Sequence, residues 1–373
     1  MRVSNNSPFY QQLATAIDNW GGMHNAHLHL DRAGTIDERY ITIAQNSILE
    51  SSHISLHRKH HLINQLHASP AYEHKDFCHR INSFLDIMIA CNTRRADTLV
   101  DVTADGIGLR ALQMMQEIKQ QRAQEIDLRI AAYSPFGFRD SEPEMWDVFA
   151  KGSSQADFIA ALPEADDTSE YPQHIGFDEH LRRTLELAKD KNCIIHIHTD
   201  QRNEPNEDGT ERLIESVSKY GAPISTTGES MVWAVHMISP STYDEIRFND
   251  MVAGLKENNI GVICCPSAAI GMRQIRSIST PTYNSIPRVL ELLAAGVHIK
   301  LASDNIADIC SPSTTADLVD EVFMLSAAIR YYHIDILAKL AAGIKITTED
   351  RESIAAHLAQ NNHEIDKITS QHD

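Results

Sequence analysis

Met23-His-Asn-Ala-His-Leu-His-Leu-Asp31 decides how this chain folds. His27 and His29 stand two apart in an otherwise apolar run. In a β-strand, residues at i and i+2 project from the same face. Two imidazoles side by side on one face are half of a metal site. The other half must come from residues at the ends of other strands.

Seven further apolar, strand-like runs follow: Thr98–Thr103, Leu128–Tyr133, Phe158–Leu162, Ile194–Thr199, Met231–His236, Gly261–Cys265 and His298–Ser303. Several are continuously apolar, as expected of strands buried on both faces of a parallel sheet. Helical patterns lie between many of them. Ile286, Val289, Leu290 and Leu293 follow i, i+3, i+4, i+7, with Gly296 where a helix-ending glycine belongs. Leu181, Leu185 and Ala188 make a second stripe, and Leu213, Ile214, Val217 and Tyr220, closed by Gly221, a third. Eight strand–helix alternations predict an α/β fold of the (β/α)8, or TIM, barrel type. A doubly wound open sheet is the competitor. No GxGxxG or P-loop follows any strand, which weakens it. No linker divides the chain, so residues 1–373 are expected to form one barrel domain without an added β-sandwich. A helical lid insertion is expected at about 46–91 and C-terminal helices at about 346–373, capped at Thr347.

The bulk properties narrow the function. The formal net charge of -18 argues against a nucleic-acid partner and for a small-molecule substrate. No run is long and apolar enough for a membrane span, and the first residues carry no signal-peptide pattern. The six cysteines are dispersed, without a CxxC pair. Together these predict a cytoplasmic protein with reduced thiols. A homo-oligomer is the default for a soluble barrel.

Barrel active sites lie at the C-terminal ends of the strands. His27 and His29 end the first run, His198 the fifth and His236 the sixth, and Asp304 follows the eighth. Three imidazoles and a carboxylate suit one divalent metal, zinc or iron(II), with a position left open for water.

In this set the chain resembles the amidohydrolase superfamily, the metal-dependent hydrolases that include adenosine and cytosine deaminases. His27-Leu-His29-Leu-Asp31 is similar to the family's first-strand HxH motif. The segment Arg183–Gln201, with His198 near its end, resembles the fifth strand and preceding helix of the cytosine deaminase branch, and Pro287–Asp308 resembles its last helix–strand unit. Val100–Thr103 and the helix after it resemble its second unit. The likeness covers roughly residues 20–330, and the missing β-sandwich strands are more like the compact adenosine deaminase branch. It implies that His27, His29, His198 and Asp304 hold the metal. His236 would polarise the substrate, and Asp304 would also take a proton from the attacking water. The reaction implied is hydrolysis of a C–N bond other than a peptide bond, at a cyclic amidine or amide carbon of a nucleobase-like or triazine-like heterocycle, through hydroxide supplied by the metal.

One position departs from the family. Its deaminases place a proton-shuttling glutamate three residues after the fifth-strand histidine, where this chain has Gln201. An amide forms hydrogen bonds but does not give and retake a proton at ordinary pH. Gln201 lines the site on this reading, and His196, Asp200 or His236 is the substitute. Two other outcomes stay open: a catalytically impaired binding or regulatory protein, or a lactone or ester hydrolase on the same scaffold. Arg32 matches a basic position in triazine-type aminohydrolases, so Arg32, His196 and His236 are the substrate-binding candidates. A binuclear site would need a bridging lysine after the fourth strand. None is there, although Glu164 could bridge, and one metal is favoured.

Plainer readings apply elsewhere. Arg32 can simply pair with Asp31 or Glu38. Asp308 reads as a loop cap. The histidine-rich stretch His53, His57, His60, His61, His67, His74, His79 reads as a solvated helix face, and Pro163–Asp167 as a solvated acidic loop. Pro266–Arg273 follows the seventh strand, where substrate contacts are expected.

Overall fold

Eight parallel strands pair in sequence order: β1 (Met23–Leu28), β2 (Thr93–Asp101), β3 (Asp127–Tyr133), β4 (Phe158–Ala161), β5 (Ile195–Thr199), β6 (Val232–His236), β7 (Ile260–Cys264) and β8 (Ile299–Leu301). This computed structural model describes residues 7–41, 49, 59–272 and 285–370. Helices alternate with the strands, and the architecture is the expected (β/α)8 barrel. All eight predicted runs became strands.

The barrel closes at the residues singled out by the sequence. β1 and β8 meet through a parallel bridge between Leu28 and Asp304. The His29 amide donates to the Asp304 carbonyl at 3.1 Å, and the Asp304 amide donates to the His27 carbonyl at 3.0 Å. Barrel closure therefore fixes the relative positions of His27, His29 and Asp304.

The β1–β2 pairing is irregular between Asn25 and Leu28. Ala26 packs inside the barrel with Trp233, Val235, Ile263 and Ala302. A strict two-residue alternation would then turn His27 outward. The shifted register lets His27 and His29 also meet the interior, which is what a bulge does to a strand.

The helices obey local rules. Phe177–Lys191 carries Asp178 and Glu179 in its first turn and Lys189 and Lys191 in its last, matching its dipole. It buries Leu181, Leu185 and Ala188 against the sheet and ends on Asn192 in the left-handed region. Full burial of each leucine contributes about 2 kcal/mol. Val289–Ala295 ends at Gly296 with φ +94°, as the glycine's place predicted.

Three boundaries differ from expectation. β2 starts at Thr93, five residues before the predicted run. Its first half reads as polar because Asp97 faces inward and receives hydrogen bonds from His24 and Arg95. In the insertion, Ile63–His67 and a turn at Pro70–Tyr72 lead into His74–Ala90, whose buried side chains join the core outside the barrel. Among its described residues, Lys59, His60, His61 and Asn64 reach the cavity mouth. The C-terminal segment, expected as one or two short helices, is a single long one, Thr348–Ser370. Thr347 does cap it, accepting from the Asp350 amide at 3.1 Å while the Asp350 carboxylate accepts from the Thr347 amide. Among the described residues no helix is long and apolar enough to cross a membrane.

Candidate metal centre

His27, His29 and His198 converge at the C-terminal ends of β1 and β5. Their candidate ligand nitrogens all lie within 4.8 Å of one another. Asp304 Oδ1 lies 3.4 Å from His29 Nε2 and 4.0 Å from His27 Nε2. Donors bonded tetrahedrally at about 2.1 Å stand about 3.4 Å apart, so these four need only a small contraction to share one cation.

The other ring nitrogens show how each imidazole is aimed. His198 Nδ1 donates to the Ala161 carbonyl at 2.9 Å, leaving Nε2 for a ligand. His27 Nδ1 sits 3.3 Å from His196 Nδ1, and His27 Nε2 is buried with no hydrogen-bond partner. A buried polar atom without a partner is costly, and a metal ion would satisfy it. His29 differs, because the Arg32 guanidinium donates to its Nδ1. Its Nε2 then carries the hydrogen and faces Asp304, and metal entry must displace that proton.

The electrostatics suit this donor set. Burial keeps His27, His29 and His198 below the usual imidazole range, so they are neutral and able to ligate. Burial acts to raise Asp304, but the His29 hydrogen bond and the surrounding imidazoles outweigh it and hold the carboxylate ionised. Asp304 and His236 both have left-handed backbones, at φ +59° and +79°. Non-glycine residues rarely adopt that region, and such strain gathers at functional sites. His236 follows on β6, its ring 5.4 Å from that of His198, and its Nδ1 is buried without a partner. Burial lowers its pKa.

Above the cluster the described residues enclose a cavity of about 1230 Å³, lined in part by His29, Arg32, His198, Gln201, His236 and Asp304. Of the five side chains named at the strand ends, His29, His198, His236 and Asp304 line this cavity, and His27 lies against His29 and His198 at its floor. His196 is placed differently. It lies inside the barrel against His27 and Phe158, with ring centroids 5.5 and 4.7 Å away, and does not line the cavity. Where substrate contact was expected, His196 instead meets His27, because two-residue alternation puts it one layer below His198. Arg32 lines the cavity but is buried, held 3.7 Å from Asp101 and 4.0 Å from Asp31. Its plainer reading as a partner of Asp31 accounts for most of these contacts. Asp200 faces away into the helix Gly209–Tyr220, accepting from the Gly209 and Thr210 amides at 2.7 and 3.0 Å and from the Thr210 hydroxyl. Asp308 caps its loop through the Cys310 and Ser311 amides.

Two segments read as solvated are so only in part. In the histidine-rich stretch, His53 and His57 lie outside the described residues. His60 and His61 line the cavity, and His67 is buried, donating to Asp101 at 3.0 Å and Asp105 at 2.6 Å. Burial acts to lower His67, but the two carboxylates outweigh it and raise it to about 9. Among the described histidines of the stretch, His61, His74 and His79 are exposed. The acidic run 163–167 forms a turn after β4. There Asp166 is buried and accepts from His174, His180 and the Phe138 amide. A Cβ on Gly137 would sit 2.2 Å from the Asp166 carboxylate, so only glycine permits this approach. Glu164 turns to the cavity and accepts from Gln201 Nε2 at 2.9 Å. The sequence reading also passed over Tyr133, which ends β3 with its ring 5.3 Å from His29 and 5.4 Å from His198. Its signal was a polar tip at a strand end. After β7, Ser267 in the short helix Pro266–Ile270 and Met272 just beyond it line the cavity, while Arg273 lies outside the described residues.

No family model matches the chain. An uncharacterized protein of Haemophilus influenzae is 25% identical over 274 residues, 73% of this chain and 91% of that one. Among solved structures, 5-methylcytosine deaminase from Klebsiella pneumoniae, crystallised with phosphonocytosine, superposes with a TM-score of 0.73 at 22% identity, over 90% of this chain and 75% of that one. N-isopropylammelide isopropylaminohydrolase from Burkholderia multivorans gives 0.64 at 16% identity, over 90% and 82%. The chain shares their fold.

Proposed function

We propose that the protein is a metal-dependent amidohydrolase that cleaves a C–N bond, other than a peptide bond, in a nucleobase-like or triazine-like heterocycle and releases ammonia or an amine. The observation that carries this reading is the convergence of His27, His29, His198 and Asp304 beneath one cavity, with the His27 nitrogen left partnerless. The two solved structures act, by name, on a pyrimidine and a triazine-type ring, which supports the substrate class.

These four residues would hold one divalent ion, zinc or iron. A bound dication lowers the pKa of water enough to supply hydroxide near neutral pH. Asp304, ionised and beside that position, accepts a proton at a carboxylate oxygen. His236, neutral and unpartnered at Nδ1, hydrogen-bonds the ring heteroatom on which negative charge builds. Gln201 and Tyr133 line the walls that orient a flat ring, and burial of the cluster excludes bulk water.

The test is zinc-loaded protein against a panel of amino- and alkylamino-pyrimidines and triazines, read as ammonia or amine release, with Asp304→Asn alongside. Turnover abolished by that change is expected. Tight binding with no release would replace the proposal with the impaired binding protein, and acid release without amine would replace it with a lactone or ester hydrolase.

A further inference from the structure

The amide of Gln201 holds a carboxylate. Gln201 Nε2 donates to Glu164 Oε2 at 2.9 Å, and the two residues line the same cavity as His198, His236 and Asp304. Glu164 Oε1 is shut from solvent and has no hydrogen-bond partner. Other carriers near this wall are committed elsewhere. Asp200 has both carboxylate oxygens occupied by the start of the helix Gly209–Tyr220. His196 is turned to His27 below the cavity. Glu170, on the outer wall, is bound to Arg202 at 2.6 Å.

We infer that Glu164 is the proton-transfer residue of this site, the carboxylate expected after β5 having been transposed to the turn after β4, with Gln201 now its anchor. The inference rests on the hydrolase reading above and adds a residue to it. Hydrolysis of a ring amidine adds water across the C=N bond and then breaks the exocyclic C–N bond. The water oxygen ends as the carbonyl. One of its protons ends on the ring nitrogen and the other on the departing amine, whose nitrogen keeps the bonding pair. Asp304 takes the proton that the attacking water first releases, and Glu164 relays protons to the ring nitrogen and the departing amine, each carboxylate finishing ionised as it began. The surroundings favour such a carrier. Burial raises Glu164 well above the usual carboxylate range, Arg202 opposes this, and Asp200 behind the wall adds to it. Glu207, itself raised mainly by burial, faces the same group.

Two measurements test this. The first needs no substrate: infrared titration of metal-free protein. A protonated-carboxyl band should persist above the range of surface acids and lose one carboxyl's share of its intensity in Glu164→Gln, while Glu207→Gln and Glu321→Gln separate the other raised carboxyls. A spectrum unchanged by Glu164→Gln overturns the inference. The second uses the zinc-loaded protein with a heterocycle that it turns over. Glu164→Gln should lower kcat/KM by about 10²–10⁴-fold, the usual contribution of a positioned acid–base. The exchanged pair Glu164→Gln/Gln201→Glu should recover at least about tenfold, since it returns a carboxylate to the same contact. A structural role for Glu164 predicts no such recovery. A single variant within threefold of wild type, or an exchanged pair no better than the single variant at equal zinc content, overturns it. A wild type that shows the Glu164 band but hydrolyses nothing in the panel would instead sink the hydrolase reading alone.

Discussion

His24 and His27 stand three residues apart on β1, and the barrel treats them oppositely. At the floor, His24 donates to Asp97 at 2.9 Å, and Arg95 donates to the same carboxylate at 2.7 Å. Lys300 on β8 lies 4.1 Å from the Trp233 ring centroid, and burial draws its pKa down to about 8. At the mouth, His27 Nε2 and His236 Nδ1 have no partner, and Asp304 and His236 have strained backbones. The residue types are alike. At the floor His24, Arg95 and Asp97 satisfy one another and so contribute to stability. The mouth leaves them unsatisfied, which costs stability unless a ligand arrives. Unpaired imidazoles beneath one cavity, more than histidine count, single out the candidate site.

Replacing a residue at each level should therefore give opposite phenotypes. The largest effect is expected from Asp304→Asn. Metal affinity should fall by more than about 100-fold, while the urea midpoint of the metal-free protein moves little. If both fall together, mouth and floor are not distinct. Asp97→Asn should do the reverse, leaving His24 and Arg95 without their anion. Breaking a buried pair costs about 3–5 kcal/mol, read as a lower urea midpoint at unchanged metal stoichiometry. His196→Leu probes the layer between them. Removing the partner of His27 Nδ1 should weaken metal binding about 10–100-fold, measured by competition with a chelator. Unaltered affinity would make His196 plain packing.

The smallest effect concerns the insertion. His67 ties the segment Ile63–Tyr72 to Asp101 and Asp105 and has a pKa raised to about 9, against about 6.5 for a free imidazole. A raised pKa gives stability that is complete below pH about 6.5 and is lost as pH rises through about 9. Amide exchange in this segment should accelerate across that window beyond its intrinsic pH dependence, and His67→Gln should remove the extra acceleration. An identical profile in the variant would contradict the tether.

The legible parts share one property, that neighbours in sequence carry them. The runs Ile194–Thr199 and Met231–His236 could be read because strands buried on both faces are apolar throughout. Gly296 and Thr347 mark helix ends by local chemistry. The histidines and Asp304 stood out because each ends such a run. What stayed hidden depends on distant partners. Asp97 broke an apolar run and so masked the start of β2, since its partner His24 lies 73 residues away. Glu164 and Asp166 sat in an acidic stretch that resembles any solvated loop. Only the tight turn after β4, with Gly137 admitting Asp166, turns one inward and the other to the cavity. His67 hid among exposed histidines because its carboxylates arrive on β2 and the loop beyond it.

The most direct test of the metal centre is anomalous diffraction at the zinc edge from crystals of the zinc-loaded protein. The account predicts one strong peak within bonding distance of His27 Nε2, His29 Nε2, His198 Nε2 and the Asp304 carboxylate. No peak there, or a peak held by other side chains, would contradict it.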